Sequence, residues 1–364
     1  MQAGQARAAG AVLLCLCLAA HARVSNGSEG DEGVPAHVDG TPLPQPKRLV
    51  GIGDIHGDLQ AVKGALRTAG VLHATRDTWI GGRTVVVQVG DQLDRGDDEL
   101  AILALIRKLQ RQAKRAGGAL HVLFGNHEHI ASSTQGFRYA TKGTYANFAR
   151  WEAVCREKGR LSAKEFDENH CELYQGPLMC PMQDLQCQAV AKRVPREMRS
   201  RFLALYPGGC IAKGLLAKER AAALIVGDTL FVHAGLSVRH LAHHARPQDA
   251  IRDINLEMSL YFSGGVAELS ENTMDVIWTR DYGQAVDRRT CNELQRTLAM
   301  LPGNVTRIVV GHTIQPGEIT NACDGAAWRI DIGMSRGTYG TRPQVLEILP
   351  GGRVKVRRAA GGRG

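Results

Sequence analysis

Five short segments of the chain place carboxylates, imidazoles and an amide next to glycine. Asp54 and His56 lie in Gly53-Asp-Ile-His-Gly57, Asp91 and Asp94 in Gly90-Asp-Gln-Leu-Asp-Arg-Gly96, and Asn126 and His127 in Gly125-Asn-His-Glu128. His233 opens His233-Ala-Gly-Leu236, and His312 sits in Gly311-His-Thr313. Carboxylate, imidazole and amide-oxygen donors without thiolate suit a borderline or hard transition metal. Asp54, His56, Asp91, Asn126, His233 and His312 are more donors than one catalytic ion with open positions needs. They suffice for two ions about 4 Å apart that share one carboxylate. Such a pair makes hydroxide available from a bridging water near neutral pH and neutralises charge on the oxygens of a bound anion. Arg95 adds a guanidinium able to grip two oxygens of an oxyanion at once. His127 admits two readings. It is either a further ligand or, because adjacent residues point in different directions, a general acid that needs a carboxylate partner to keep its proton; Asp94 is the candidate partner. Any one of these segments alone reads as a structural turn, but five of them, each ending a strand, read as one site.

The elements that position them are legible as short apolar runs. Arg48 to Ile52, Thr84 to Val89, Leu120 to Phe124, Thr229 to Val232 and Arg307 to Val310 each end in glycine plus polar residues or in His-Ala-Gly. Each reads as a buried strand followed by a tight turn. The glycines let the backbone turn sharply where a ligand must point into a cleft. Helical patterns alternate with the strands, as in Glu99 to Arg115 with Leu100, Ile102, Leu103, Leu105 and Ile106 on one face. Alternation of this kind predicts an α/β fold with its ligands at the strand ends. Residues 130–222 read differently, as a helical insert with helices near Arg138 to Glu157 and Arg196 to Leu205. Cys155, Cys171, Cys180, Cys187 and Cys210 all fall there. A hairpin is expected over Val345 to Leu349 and Arg353 to Arg357, and residues 359–364 are expected to form a disordered tail.

The motif series resembles the phosphoprotein phosphatase branch of the calcineurin-like metallophosphoesterases. Within it, Phe137-Arg-Tyr-Ala-Thr141, Trp278-Thr-Arg280 and Ile330-Asp-Ile-Gly-Met-Ser335 are similar to the Shewanella-like phosphatases, a bacterial-type group, over roughly residues 48–350. The resemblance implies a central β-sandwich flanked by helices. It implies that Asp54, His56 and Asp91 hold one metal and that Asp91, Asn126, His233 and His312 hold the other, with Asp91 bridging. It gives Arg95 and Arg280 the role of phosphate clamps, and His127, paired with Asp94, that of the acid for the leaving oxygen. The implied ions are manganese, or iron with zinc. The expected activity is hydrolysis of phosphomonoesters on protein Ser/Thr, with Tyr as a further substrate. Hydrolysis of small phosphoesters or dinucleotide polyphosphates uses the same metals, and an inactive phosphoprotein-binding module would lack a ligand or the acid, which this chain does not.

Composition bounds the remaining choices. The 364 residues, 44% hydrophobic, suffice for one catalytic domain over residues 47–358 with its insert. A net charge of +9 is spread along the chain with no basic stripe interleaved with aromatics, so nucleic acid is not expected as a partner. A phosphoprotein is the expected partner, and no regulatory subunit is identifiable. Arg7, the apolar run Ala11 to Ala20 and Ala20-His21-Ala22 read as a secretory signal peptide over residues 1–22, too short to span a membrane. A plastid or mitochondrial leader is the alternative. Residues 23–46, rich in glycine, proline and acids, read as a disordered linker. Seven cysteines remain after such a cleavage, so an oxidising compartment would allow pairs and leave one odd thiol.

Overall fold

A computed structural model describes residues 39–180 and 184–359. The proposed signal peptide and most of the proposed linker lie outside the described residues. Among the described residues eleven strands form two sheets: β1 (Leu49–Ile52), β2 (Val85–Gln88), β3 (Ala119–Leu123), β4 (Arg220–Ala221), β5 (Ala223–Val226), β6 (Thr229–Val232), β7 (Arg307–Val310), β8 (Thr320–Ala322), β9 (Ala327–Arg329), β10 (Gln344–Leu349) and β11 (Arg353–Arg358). One sheet runs in the order β11-β10-β1-β2-β3-β4 and the other β5-β6-β7-β9-β8. The strands that lead into the site motifs are parallel neighbours: Leu49 pairs with Val85, and Val85 with Ala119. In the second sheet β6 runs parallel to β7. Parallel strands covered on both faces explain the continuous Val/Ile/Leu runs.

The sheets stack face to face. Leu49, Val86, Val122, Leu224, Phe231, Val309 and Ile330 share one buried cluster between them. Gly51 on β1 marks how closely they approach. A Cβ there would sit 3.2 Å from Ile330 Cδ1 and 3.4 Å from Phe231 Cε1. Helices α1 (Leu59–Thr68) and α2 (Glu99–Arg115) connect the first strands, and α2 buries Leu100, Ile102, Leu103, Leu105 and Ile106 as its periodicity predicts. The expected β-sandwich with flanking helices is what is observed.

The described residues between β3 and β4 add α3 (Asn126–Ala131), α4 (Lys142–Cys155), α5 (Ala163–Glu168), α6 (Leu185–Arg193) and α7 (Arg196–Leu205). The start expected near Arg138 is a separate 3-10 turn, Thr134–Arg138. The α-helix begins after Thr141, whose Oγ1 accepts the Thr144 N–H. Among the described residues three disulfides join Cys155 to Cys171, Cys180 to Cys187 and Cys291 to Cys323, and Cys210 stays a thiol. Among the described residues no helix is long and apolar enough to cross a membrane.

Both ends of the ordered domain extend past the boundaries read from composition. Residues 39–46 have the composition of a linker, yet Leu43 N–H donates to Ile225 O at 2.9 Å and Leu43 O accepts from Gly227 N–H at 2.8 Å. Edge strand β5 has unpaired backbone groups on that side, and a short apolar residue between prolines covers them. At the other end Ala359 N–H donates to Pro343 O at 3.0 Å.

Gly51→Val would push a branched side chain into the interface between the sheets. Loss of about 1–3 kcal/mol of stability is expected, read as a lower urea midpoint at unchanged slope.

Candidate metal centre

The turn after each strand leaves the regular path to aim a side chain inward. His56, Asp91, Asp94, Arg95 and His312 are non-glycine residues at φ of 43°, 56°, 67°, 65° and 64°. Such conformations cost on the order of 1–3 kcal/mol each unless the surroundings impose them. Glu128 does much of the imposing. Its fully buried carboxylate accepts from the N–H groups of Asp91 at 2.9 Å, Gln92 at 2.8 Å and Gly125 at 2.7 Å, which locks the second motif onto the third. Gly125 is required for this approach, because a Cβ there would lie 2.1 Å from Asp91 Oδ1.

Asp91 occupies the middle of the site. Its ligand atoms fall within 4.8 Å of those of His56 and His127 on one side, and of His233 and His312 on the other. His56 Nε2 is 3.6 Å from Oδ2, and His233 Nε2 is 3.4 Å from Oδ1. This is the placement a bridging carboxylate needs. Asn126 Oδ1 lies 3.0 Å from His233 Nε2 and 2.9 Å from His312 Nδ1, so amide and imidazoles converge on one point. The other ring nitrogens are engaged by backbone carbonyls: His56 Nδ1 by Leu93 at 3.2 Å, His233 Nδ1 by Val89 at 2.8 Å, His312 Nε2 by Trp278 at 3.0 Å. These contacts orient each ring with its free nitrogen inward, as metal-binding histidines require. Asp54 Oδ2 accepts the His312 N–H at 3.0 Å, while its Oδ1 is buried without a donor.

The electrostatics call for cations. Burial pushes the Asp54 carboxyl well above the usual range, and the neighbouring Asp331 and Asp91 carboxylates push it further. Burial would raise Asp91 too, but the imidazoles of His233, His127 and His56 draw it well below. Burial holds His56 at about 4 and His312 at about 3, so both are neutral donors near neutral pH. Neutral imidazoles, clustered carboxylates and an orphaned Asp54 oxygen fit divalent metal ions at this site.

His127 shares the first cluster with His56 and Asp91, but its ring is held by a carboxylate where the other imidazoles are held by backbone carbonyls. Its Nδ1 lies 2.7 Å from Asp94 Oδ2, and its N–H donates to Asp91 Oδ1 at 2.8 Å. Burial lowers its pKa, but Asp91 and the Asp94 hydrogen bond outweigh that and raise it. Nε2 therefore faces the site with a carboxylate behind the ring, the arrangement of a proton donor. Arg95 Nη2 rests 3.3 Å from that Nε2, and its guanidinium lies 5.6 Å from the centre of the Tyr139 ring. Arg95 has no carboxylate within ion-pair distance among the described residues, which leaves it available to an anion. Arg280 does not pair with its neighbour Asp281, which Arg239 takes at 2.6 Å. Its Nη1 instead donates to Thr313 Oγ1 at 2.9 Å and His312 O at 3.3 Å, on the rim of the centre. All ten residues predicted from sequence thus gather at one place.

Three more residues belong to it. Glu128 stood inside the third motif without a role. Asp331 faces Asp54, and its carboxyl is raised by burial to about 6. Arg201 of α7 is fully buried, with Nη2 2.7 Å from Asp94 Oδ1. The signal for Arg201 was a basic residue on the apolar stripe Met198, Arg201, Phe202, Leu205, which demands a buried acid.

Comparison with known proteins agrees with this geometry. The calcineurin-like phosphoesterase family model matches residues 47–316. The chain belongs to this family. It is a metal-dependent phosphatase. The chain is 36% identical over 324 residues to Shewanella-like protein phosphatase 2 of Arabidopsis thaliana, covering 87% of this chain and 78% of that protein. Among solved structures it resembles the cold-active protein-tyrosine phosphatase of a psychrophilic Shewanella species, with a TM-score of 0.55 at 18% identity, covering 87% of this chain and 82% of that one. A protein serine/threonine phosphatase from Saccharomyces cerevisiae aligns with a TM-score of 0.50 at 14% identity, covering 89% and 85%. At such identities the structural matches speak for the fold.

Asp91→Asn removes the negative charge shared by both clusters while keeping the side chain's shape. The purified variant is expected to hold about one metal ion per chain or fewer and to lose nearly all turnover. Two ions per chain with near-normal activity would exclude the bridging role.

Proposed function

We propose that this phosphatase acts on phosphorylated proteins, removing phosphate from serine and threonine. The observation that carries the reading is the Asp94–His127 pair, set beside the carboxylate common to both metal clusters. An alkoxide is a poor leaving group, and a carboxylate-backed imidazole at the leaving side answers that need. Asp54, His56 and Asp91 would hold one ion, and Asp91, Asn126, His233 and His312 the other; manganese, or iron with zinc, fits these donors. When bound, such ions would supply hydroxide from water near neutral pH and neutralise charge on the phosphoryl oxygens.

The remaining steps belong to the chain's own groups. Arg95 and Arg280 hold two phosphoryl oxygens and orient the ester oxygen toward His127. As the ester bond breaks, the Nε2 proton moves to the departing oxygen, and Asp94 stabilises the ring through Nδ1. Phosphotyrosine is the second reading. Half-exposed Tyr139 sets its ring edge-on to His127, 5.0 Å between centres, a surface for an aromatic substrate, and one solved relative is described as a tyrosine phosphatase. A panel of phosphoserine, phosphothreonine and phosphotyrosine peptides beside nucleotide polyphosphates decides among these. Turnover confined to the nucleotides would overturn the protein-phosphatase reading.

His127→Asn is expected to retain both metals. On a phosphoserine peptide it should slow turnover by about 10²–10⁴ and much less on an activated aryl phosphate, whose leaving group needs no proton. Loss of a metal, or equal slowing of both substrates, would make His127 a ligand instead.

We also propose that the protein works in the secretory pathway or outside the cell. Three disulfides in one domain, together with the leader-like first 22 residues, support an oxidising compartment. N-terminal sequencing of native protein should begin near Arg23, and an intact Met1 would overturn this placement.

A further inference from the structure

Arg201 reaches the site from the insert, 107 residues beyond Asp94 in sequence. Its guanidinium is shared between two fully buried carboxylates. Nη2 donates to Asp94 Oδ1 at 2.7 Å and to Glu99 Oε1 at 2.8 Å, and Nε donates to Glu99 Oε2 at 2.8 Å. Glu99 Oε1 in turn accepts the Asp94 N–H at 2.7 Å. Asp94 therefore has each oxygen committed to a different partner: Oδ1 to Arg201 and Oδ2 to His127 Nδ1. Rotating the carboxylate would break both contacts at once. Two buried carboxylates side by side also require a cation, and Arg201 touches both.

The helix that carries Arg201 is itself held in register. Ser200 Oγ donates to Glu152 Oε2 on α4 at 2.6 Å, and the Phe202 ring packs 5.9 Å from Phe137. The insert also grips the loop that bears Asp94. Arg95 N–H donates to Tyr139 O at 2.8 Å, and Thr144 Oγ1 donates to Gly96 O at 3.0 Å. A detached substrate-recognition flap would show none of these bonds.

We infer that Arg201 is a positioning residue for proton delivery, fixing the Asp94 carboxylate against His127 so that the insert takes part in the chemistry. The inference rests on the acid role of His127 proposed above. Lysine at this position keeps the charge but cannot fork between two carboxylates, so it separates geometry from neutralisation.

The test uses the full-length, metal-loaded enzyme with a phosphoserine peptide and para-nitrophenyl phosphate. Arg201→Lys is expected to lower kcat on the peptide about tenfold or more, and on the nitrophenyl ester by less than about threefold, with metal content unchanged. Asp94→Asn should show the same split, and the double variant Asp94→Asn/Arg201→Lys should be no slower than Asp94→Asn alone, because the two residues act as one unit. Arg201→Met paired with Glu99→Gln removes both charges, guards against loss of folding, and should keep the substrate split. Equal slowing of both substrates by Arg201→Lys, or losses that multiply in the double variant, would overturn the inference. His127→Asn in the same series separates the two levels. A split for His127→Asn but none for Arg201→Lys rejects only the role of Arg201, while no split for His127→Asn rejects the acid and the inference together.

Discussion

A carboxylate taken fully out of water must be surrounded by charge or by donors, and in this fold that carboxylate is Asp91. It lies within ligand distance of His56 and His127 on one side and His233 and His312 on the other. Everything near it follows from that demand. β2 must end where Gly90 can turn at a φ of 105°, since a Cβ there would strike Gly125 and His233. Gly125 must stay bare to admit the Asp91 oxygens, and Glu128 must gather the surrounding amides. Of the left-handed residues of the second motif, Asp91 is held by Glu128 of the third, Asp94 by Glu99 and Arg95 by the Tyr139 carbonyl. The strain is local, and its compensation is spread over several elements.

Much of this was legible in the sequence because ligand identity and backbone geometry leave a joint mark. A buried strand needs a continuous apolar run, and a sharp turn at its end needs glycine, so Gly53-Asp54, Gly90-Asp91, Gly125-Asn126 and Gly311-His312 announce both at once. Helix α7 was readable to the residue, because Pro195 precedes it and its apolar face stops at Leu205. What escaped was anything whose partner lies far along the chain. Arg201 stands on the apolar stripe of its helix, but the sequence does not say which acids it meets until Glu99 and Asp94 are brought to it. Asp331 gains meaning only when β9 delivers it opposite Asp54. Leu43 sits among prolines and glycine that read as linker, and only the open edge of β5 gives its backbone a place to bond. Composition describes what a segment contributes to a core, and it is silent about edges waiting to be covered.

The insert differs from an ordinary surface addition in how it is held. Cys155–Cys171 ties the end of α4 to the turn after α5, and Cys180–Cys187 closes the segment that leads into α6. Around them Phe148, Trp151, Leu173 and Tyr174 extend the main core, while Cys187, Val194, Phe202 and Leu203 form a small cluster of their own. A cluster that small gives little hydrophobic stabilisation, and cross-links make up for it by limiting the unfolded chain. The same segment presses Tyr139 and Thr144 onto the loop of Asp94 and Arg95, and α4 runs from Thr144 to the disulfide at Cys155.

The donors of the centre come from both layers of the sandwich. Asp54, Asp91 and Asn126 follow β1, β2 and β3, whereas His233 and His312 follow β6 and β7. Direct bonds already cross the gap, from His312 N–H to Asp54 and between His233 and the Val89 carbonyl. Ions held by donors from both layers would act as rivets joining two plates. Affinity for the ions and resistance of the sandwich to separation then become one thermodynamic quantity viewed from two ends. Loading to a hundred times the dissociation constant adds about 2.7 kcal/mol to the folded state, and by reciprocity anything that loosens the plates anywhere weakens the grip on the rivets. Cellular metal supply would in this way set the lifetime of the folded enzyme as well as its rate.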